Sequence, residues 1–438
     1  MKKVFSFVIL LSIITGFVLG INLGTSAFAA TEKLVVYNWG DYIDDAVIDA
    51  FEAETGIEVT YSTYDTNEIM LTKIIREKAA IDLICPSDYA IQRLLEQDML
   101  VKIDFSKIST ADNVNSQILD KIDSVFTDLK INNESISMRE YMFPYMWGTL
   151  GIMYNCEVID PDVARAAGYG LLWNSINSDE VKGKVYMKDS VRDAYAAAVL
   201  YLKEEKKLPE KYESMSIEQL INTVDSELLE LVEFAFKKQK TDKTVKDYEV
   251  DFAKQEMIEG KGTVNLAWSG DALWAMEESD ILDYFVPEIG GNIWFDGWAI
   301  PKTAQNVDAA HKFIEFLARP DNAMKNAVSI GYTSAISEEA IRNYPQALDV
   351  LLENEYDIDE FFGNLIRYPA IDSTSFAVMR DFGDSEKDVI EMWERVKAEG
   401  MAVWMLIIII VSSAIGVCLI IFVIYIISKK KKRHRIVE

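Results

Sequence analysis

Between Lys33 and Gln97, strand-like alternation and helical spacing take turns along the chain, and this order constrains the fold more than any other feature. Lys33 to Asn38 alternates into an apolar strand. Asp45 to Thr55 has helical spacing and stops at Gly56, a C-terminal helix signal. Ile57 to Thr63 alternates again, Asn67 to Lys78 reads as an amphipathic helix, Asp82 to Pro86 as a short buried strand, and Tyr89 to Gln97 as a helix. A β-α-β-α-β-α order predicts a parallel sheet covered by helices. Ligands of such sheets bind beyond the carboxyl ends of the strands. Here those ends are Trp39-Gly40-Asp41-Tyr42 and Ser87-Asp88-Tyr89.

The later chain is mixed. A strand is expected over Thr149 to Asn155, then a mostly helical region from Pro161 to about Met276, with a strand at Lys184 to Met187 and a helix at Asp193 to Glu204. Ile217 to Lys240 and Tyr248 to Glu259 read as charged helices. Thr263 to Trp268 is strand-like and runs into Ser269-Gly270-Asp271. Asn292 to Pro301 reads as a strand that proline closes. A helix over Ala309 to Leu317, a loop at Gly331-Tyr332 and a mainly helical stretch from Glu339 to Glu399 follow.

Apolar runs stand at both ends. Lys2 and Lys3 precede the first, which ends in Ala27-Phe28-Ala29, the pattern of a secretory signal cut before Ala30. The second, Met401 to Ser428, has no charged residue and is long enough for the roughly 30 Å hydrocarbon core. The basic tail from Lys429 predicts one C-terminal transmembrane helix with a cytoplasmic C-terminus and an extracytoplasmic body, hence a single-pass cell-membrane location.

The net charge is −27, and because the two ends are basic the part between them is more acidic still. Such a surface repels nucleic acid and anionic lipid and gathers cations. Between the apolar runs, Cys85 and Cys156 lie in apolar strand-like stretches, which favours buried free thiols over a disulfide. His311 is the sole histidine of that part, which argues against histidine-based hydrolysis or metal chemistry. No cofactor, metal or catalytic residue is expected.

In the strand Asn292 to Pro301, Trp294 and Asp296 share one face and Phe295 takes the other. An indole beside a carboxylate suits an organic cation. Trp39, Asp41, Tyr42, Ser87, Tyr89, Asp193, Trp268, Asp271, Trp294, Asp296 and Tyr332 stand at the ends of separate elements. Singly, each has an ordinary structural reading, such as a core aromatic or a helix cap. Together they form an aromatic and acidic box with Arg192 as its nearest basic group. Such a box fits a linear, multiply protonated amine.

The segments VYNWGDYI, FEAETGIEVTYSTYDTNE, DLICPSDYAIQRL, PYMWGTLGIMYN, NLAWSGDA, IWFDGWAIP and SIGYTSA occur in this order. Through them the chain resembles the spermidine/putrescine-binding proteins of ABC transporters over residues 33–340. The resemblance implies a two-lobed α/β fold of the periplasmic-binding-protein type (type II) that clamps a ligand between its lobes. It implies crossings near Thr149 and Trp294. Lobe I is expected over 30–149 and 295–340, and lobe II over 150–294 and 341–400. Residues 1–29 would be the signal, 401–428 the membrane helix and 429–438 the tail.

By motif match, Trp39, Tyr42, Ser87, Tyr89, Trp268, Trp294, Asp296 and Tyr332 are implied ligand contacts, and Asp193 an implied partner of a terminal amine. Asp41 and Asp271 resemble the putrescine-preferring type. Ser190 stands where the spermidine-preferring type has an acid, with Asp189 adjacent. A late glutamine contact of the family falls near Met379 or Arg380 and is not carried over. The implied function is polyamine capture for a permease and its ATPase, without catalysis. The alternative is a tethered polyamine sensor docking on a membrane partner.

Overall fold

The computed structural model describes residues 32–398. The expected signal, membrane helix and tail lie outside these residues. Among the described residues no helix is long and apolar enough to cross a membrane. Among the described residues the expected fold is corrected to the two-lobed α/β body, with no membrane span.

The opening alternation folds as expected. Strands β1 (Lys33–Trp39), β2 (Glu58–Tyr64) and β3 (Leu83–Ile84) pair in parallel, with β1 between the other two. The helix Asp45–Thr55 ends at Gly56, whose φ of 72° is the left-handed conformation that glycine adopts at little cost. The expected helix from Asn67 is shorter: an α-helix over Asn67–Leu71 widens into a π-turn over Thr72–Arg76.

Strand β4 (Met142–Asn155) is buried along its whole length and starts well before the expected Thr149. It is followed by β5 (Val185–Lys188), β6 (Val245–Glu249), β7 (Val264–Trp268), β8 (Leu282–Phe285) and β9 (Gly291–Pro301). Hydrogen-bonded neighbours run β2-β1-β3-β9-β4-β7-β5-β6, with β8 also on β4. Beyond β4, the neighbours β7, β5 and β6 are mutually parallel. Strand β6 corrects the sequence reading, which made a helix from Tyr248; the helix is confined to Ala253–Ile258. Its residues are half-buried or exposed, so this edge strand lacks the clean alternation that would reveal it.

The long strands β4 and β9 pair antiparallel, Thr149 opposite Ile293 and Gly148 opposite Trp294. Phe295 faces away from Trp294 and stacks on Trp147, ring centroids 6.3 Å apart. Below the first lobe, Leu34, Phe51, Phe313 and Trp298 share an apolar core. In the second, Trp173 stacks on Tyr201 at 4.1 Å.

The last third packs in two places. Ile341, Leu351, Phe361 and Phe362 pack into the cluster of Leu34 and Phe51. Further on, Phe376–Ala377 pairs with the start of β9, and Trp393 packs on Phe236. Cys85 is a buried free thiol and Cys156 a half-buried one. His311 is structural: Nε2 accepts from the Asp104 backbone N–H, so Nδ1 donates to the Val307 carbonyl.

Candidate functional site

A cleft of about 740 Å³ opens where the strand ends of the two lobes meet. All the acidic and aromatic residues singled out from the sequence line it, as do Ser190, Arg192, Asp251 and Met379.

Its floor is β9. The extended backbone sends Trp294 and Asp296 to the cleft face. Asp296 is 5% exposed and accepts a 2.9 Å hydrogen bond from the Tyr42 hydroxyl through Oδ2. Its other oxygen, Oδ1, is buried without a partner, as is the Trp294 indole nitrogen. Burial pushes the Asp296 carboxyl up to about 7, against the downward pull of the Ser87 and Tyr42 hydroxyls, and Asp193 adds to the rise. The rings beside it form a wall: Tyr332 lies 5.8 Å from Trp294 and 5.0 Å from Tyr42, centroid to centroid. Gly270 makes room for this wall, since a Cβ there would collide with the Tyr332 ring.

The opposite side is built at the carboxyl ends of β5 and β7. Asp193, in the first turn of the helix Val191–Glu204, accepts a 3.2 Å hydrogen bond from the Trp268 indole nitrogen. Burial raises its carboxyl above the usual range. Among the described residues neither Asp193 nor Asp296 has an ion-pair partner.

Asp271 differs from these two. Lys188 pairs with its Oδ2 at 2.8 Å and Lys254 with its Oδ1 at 3.5 Å. Lys254 also reaches Asp41, which is otherwise exposed, at 3.2 Å. Burial works upward on the Asp271 carboxyl, but the two lysines outweigh it and hold the group below its ordinary value. The box is therefore less purely acidic than its sequence suggests. Lys188 and Lys254 neutralise its Asp271 from behind the lining, and Arg192, which lies 4.5 Å over the Tyr89 ring, is part of the lining. The position of Lys188 at the end of β5 was the available signal; Lys254 comes from the short helix Ala253–Ile258 and had none.

Asp251 was also missed, and burial lifts its carboxyl to about 6. Ser87 stands at the helix N-cap position without capping it and instead accepts from the Asn67 side chain at 3.0 Å. Asp88 is not a ligand candidate: its Oδ2 accepts from the Phe295 backbone and ties this helix to β9. Tyr89 donates to Glu68 at 3.2 Å, and the Trp39 indole to the Cys85 carbonyl at 2.9 Å. Asp189 is committed elsewhere, to Trp393 at 2.9 Å and Lys397 at 3.1 Å.

Residues 46–346 match the family model of bacterial extracellular solute-binding proteins. The chain belongs to that family. Among its relatives, the spermidine/putrescine-binding periplasmic protein of Escherichia coli is 32% identical over 71% of this chain and 80% of its own length. Among solved structures, a Listeria monocytogenes protein assigned to a spermidine/putrescine ABC transporter superposes with a TM-score of 0.67 at 30% identity, over 84% of this chain and 99% of that one. The substrate-binding protein of such a transporter from Streptococcus pneumoniae gives 0.59 at 29%, over 84% and 98%. This solute-binding protein is thus similar to the proteins that its motifs indicated. The expected single-pass membrane location is corrected by the Escherichia coli relative, which is a periplasmic protein by name, and by the lack of a membrane-crossing helix among the described residues.

Proposed function

We propose that this solute-binding protein captures a linear polyamine, spermidine or putrescine, in the cleft and delivers it to an ABC permease with its ATPase. The observation that carries the reading is Asp296, a buried carboxylate with one unpartnered oxygen that lines the same cleft as Trp294. A buried acid of this kind is completed by a ligand ammonium, which supplies both the counter-charge and the missing donor.

In this reading Asp296 pairs one ammonium and Asp193 another, while Trp39, Tyr42, Trp268, Trp294 and Tyr332 sheath the methylenes between them. Ser87 and Tyr89 line the same wall. Each cation–π contact contributes ~0.5–2 kcal/mol. A few such contacts with two desolvated ion pairs reach the roughly −8 kcal/mol of a micromolar complex. We assign residues 32–148 and 294–363 to the first lobe and 149–293 and 376–398 to the second, so the two proposed ammonium partners come from different lobes.

A thermal-shift screen of amines, amino acids, sugars and anions tests the proposal. Polyamines are expected to stabilise the protein most. Stabilisation by another class, with none by polyamines, would replace this reading.

A further inference from the structure

The proposed polyamine site contains an amine of its own. Lys188 is 1% exposed, although lysine is among the residues least often buried. Its Nζ donates to Asp271 Oδ2 at 2.8 Å and to the Val250 carbonyl at 2.5 Å, and lies 3.7 Å from the centre of the Trp268 ring. A carboxylate, a carbonyl and an indole face are the surroundings that a ligand's ammonium would need in a closed cleft. The same Trp268 donates its indole nitrogen to Asp193. One ring therefore connects an acid already neutralised from within to an acid that still lacks a counter-charge.

We propose that Lys188 stands in for a third ligand ammonium, filling the Asp271 position from within and fitting the cleft to linear diamines over triamines. This rests on the polyamine reading above. Lys254 reinforces the effect, since it shares Asp271 and also occupies Asp41. Of the acids singled out from the sequence, Asp193 and Asp296 are then left to take ligand charge, while Asp251 in the same cleft also feels the charges of Lys188 and Lys254. A third ammonium would find its natural partner occupied, or would meet the charge of Lys188. The lysine cannot withdraw at no cost, because leaving would abandon Asp271 to Lys254 alone in a buried setting.

Calorimetric titration with putrescine and spermidine tests this on the wild type, Lys188→Met and Lys188→Arg. In the wild type the triamine should bind no more than about threefold tighter than the diamine, because its extra charge finds no partner. Lys188→Met should move the affinity ratio at least about tenfold toward spermidine, as Asp271 becomes free for a ligand ammonium. Lys188→Arg should keep the wild-type ratio. A merely structural lysine would weaken both amines alike and leave the ratio unmoved, which would overturn the proposal. Should Lys188→Met not fold, the wild-type pair still decides: a spermidine preference above about threefold refutes the internal-ammonium role. A wild type that binds these amines in the cleft but shows an unmoved ratio in Lys188→Met sinks this inference alone. A wild type that binds neither amine removes the polyamine reading as well.

Discussion

Asp296 is a deeply buried acid of the cleft with an unpartnered oxygen, and the residue-scale predictions turn on it. Asp296→Ala would leave a bound ammonium buried and unpaired, and should weaken amine binding by ~2–5 kcal/mol in calorimetry. Trp294→Ala removes ring cover and cation–π attraction together and should also weaken it. The raised carboxyl sets a pH dependence. With the group near 7 in the free protein, acid pH leaves it protonated, whereas the ligand amines stay charged up to about pH 10. Amine affinity should therefore be about tenfold weaker at pH 6 than at pH 8, with up to one proton released on binding at the lower pH. Asp296→Asn should flatten that profile. For the unliganded protein the sign reverses. Its Asp296 holds a proton more tightly than the unfolded chain does, so its contribution to stability falls as pH rises from about 4 toward 7. Acids and rings at strand ends could be read from sequence because alternation assigns their face. The neutralisation of Asp271 could not, since Lys188 and Lys254 meet it only through tertiary packing.

At the scale of elements, two joints hold the aromatic wall. Gly270 opens the helix Ser269–Glu278 against the Tyr332 ring, and Gly331, at φ 80°, turns the chain just before Tyr332. Gly270→Ala should therefore displace Tyr332, costing ~1–3 kcal/mol in overpacking and weakening amine binding. A thermal melt together with calorimetry checks both effects. Strands β1, β7 and β9 were legible because each alternates or is continuously apolar between clear stop signals. The edge strand β6 was not, because its charged residues match a helical pattern as well as an extended one. The single helical reading of Ile217 to Lys240 breaks into Ile217–Ile221 and Ser226–Thr241, where Asp225 caps the second helix by accepting from the Leu228 backbone.

At the scale of the molecule, the lobes touch beyond the crossing strands. Arg93, on the helix Asp88–Glu96, grips Asp381 with two hydrogen bonds, at 3.1 and 2.5 Å, and also pairs with Glu386. Asp381 and Glu386 belong to the chain that packs on the second lobe, so this largely buried cluster ties one lobe to the other. Arg93→Ala should lower thermal stability by ~3–5 kcal/mol. Because none of these groups lines the cleft, amine affinity should change less than about threefold. The two packing places of the last third were hidden in the sequence, since the helices Pro345–Glu353 and Glu386–Ala398 both read as amphipathic. Only the packing partners, Leu34 and Phe51 for the first and Phe236 for the second, separate them. The most direct measurement of the central claim is a calorimetric titration of the purified protein with putrescine at pH 8, beside Asp296→Asn. The account predicts one site per chain with micromolar or tighter affinity, lost or reduced at least about thirtyfold in the variant. A wild type that gives no binding heat and no thermal stabilisation, or a variant that binds as the wild type does, would contradict it.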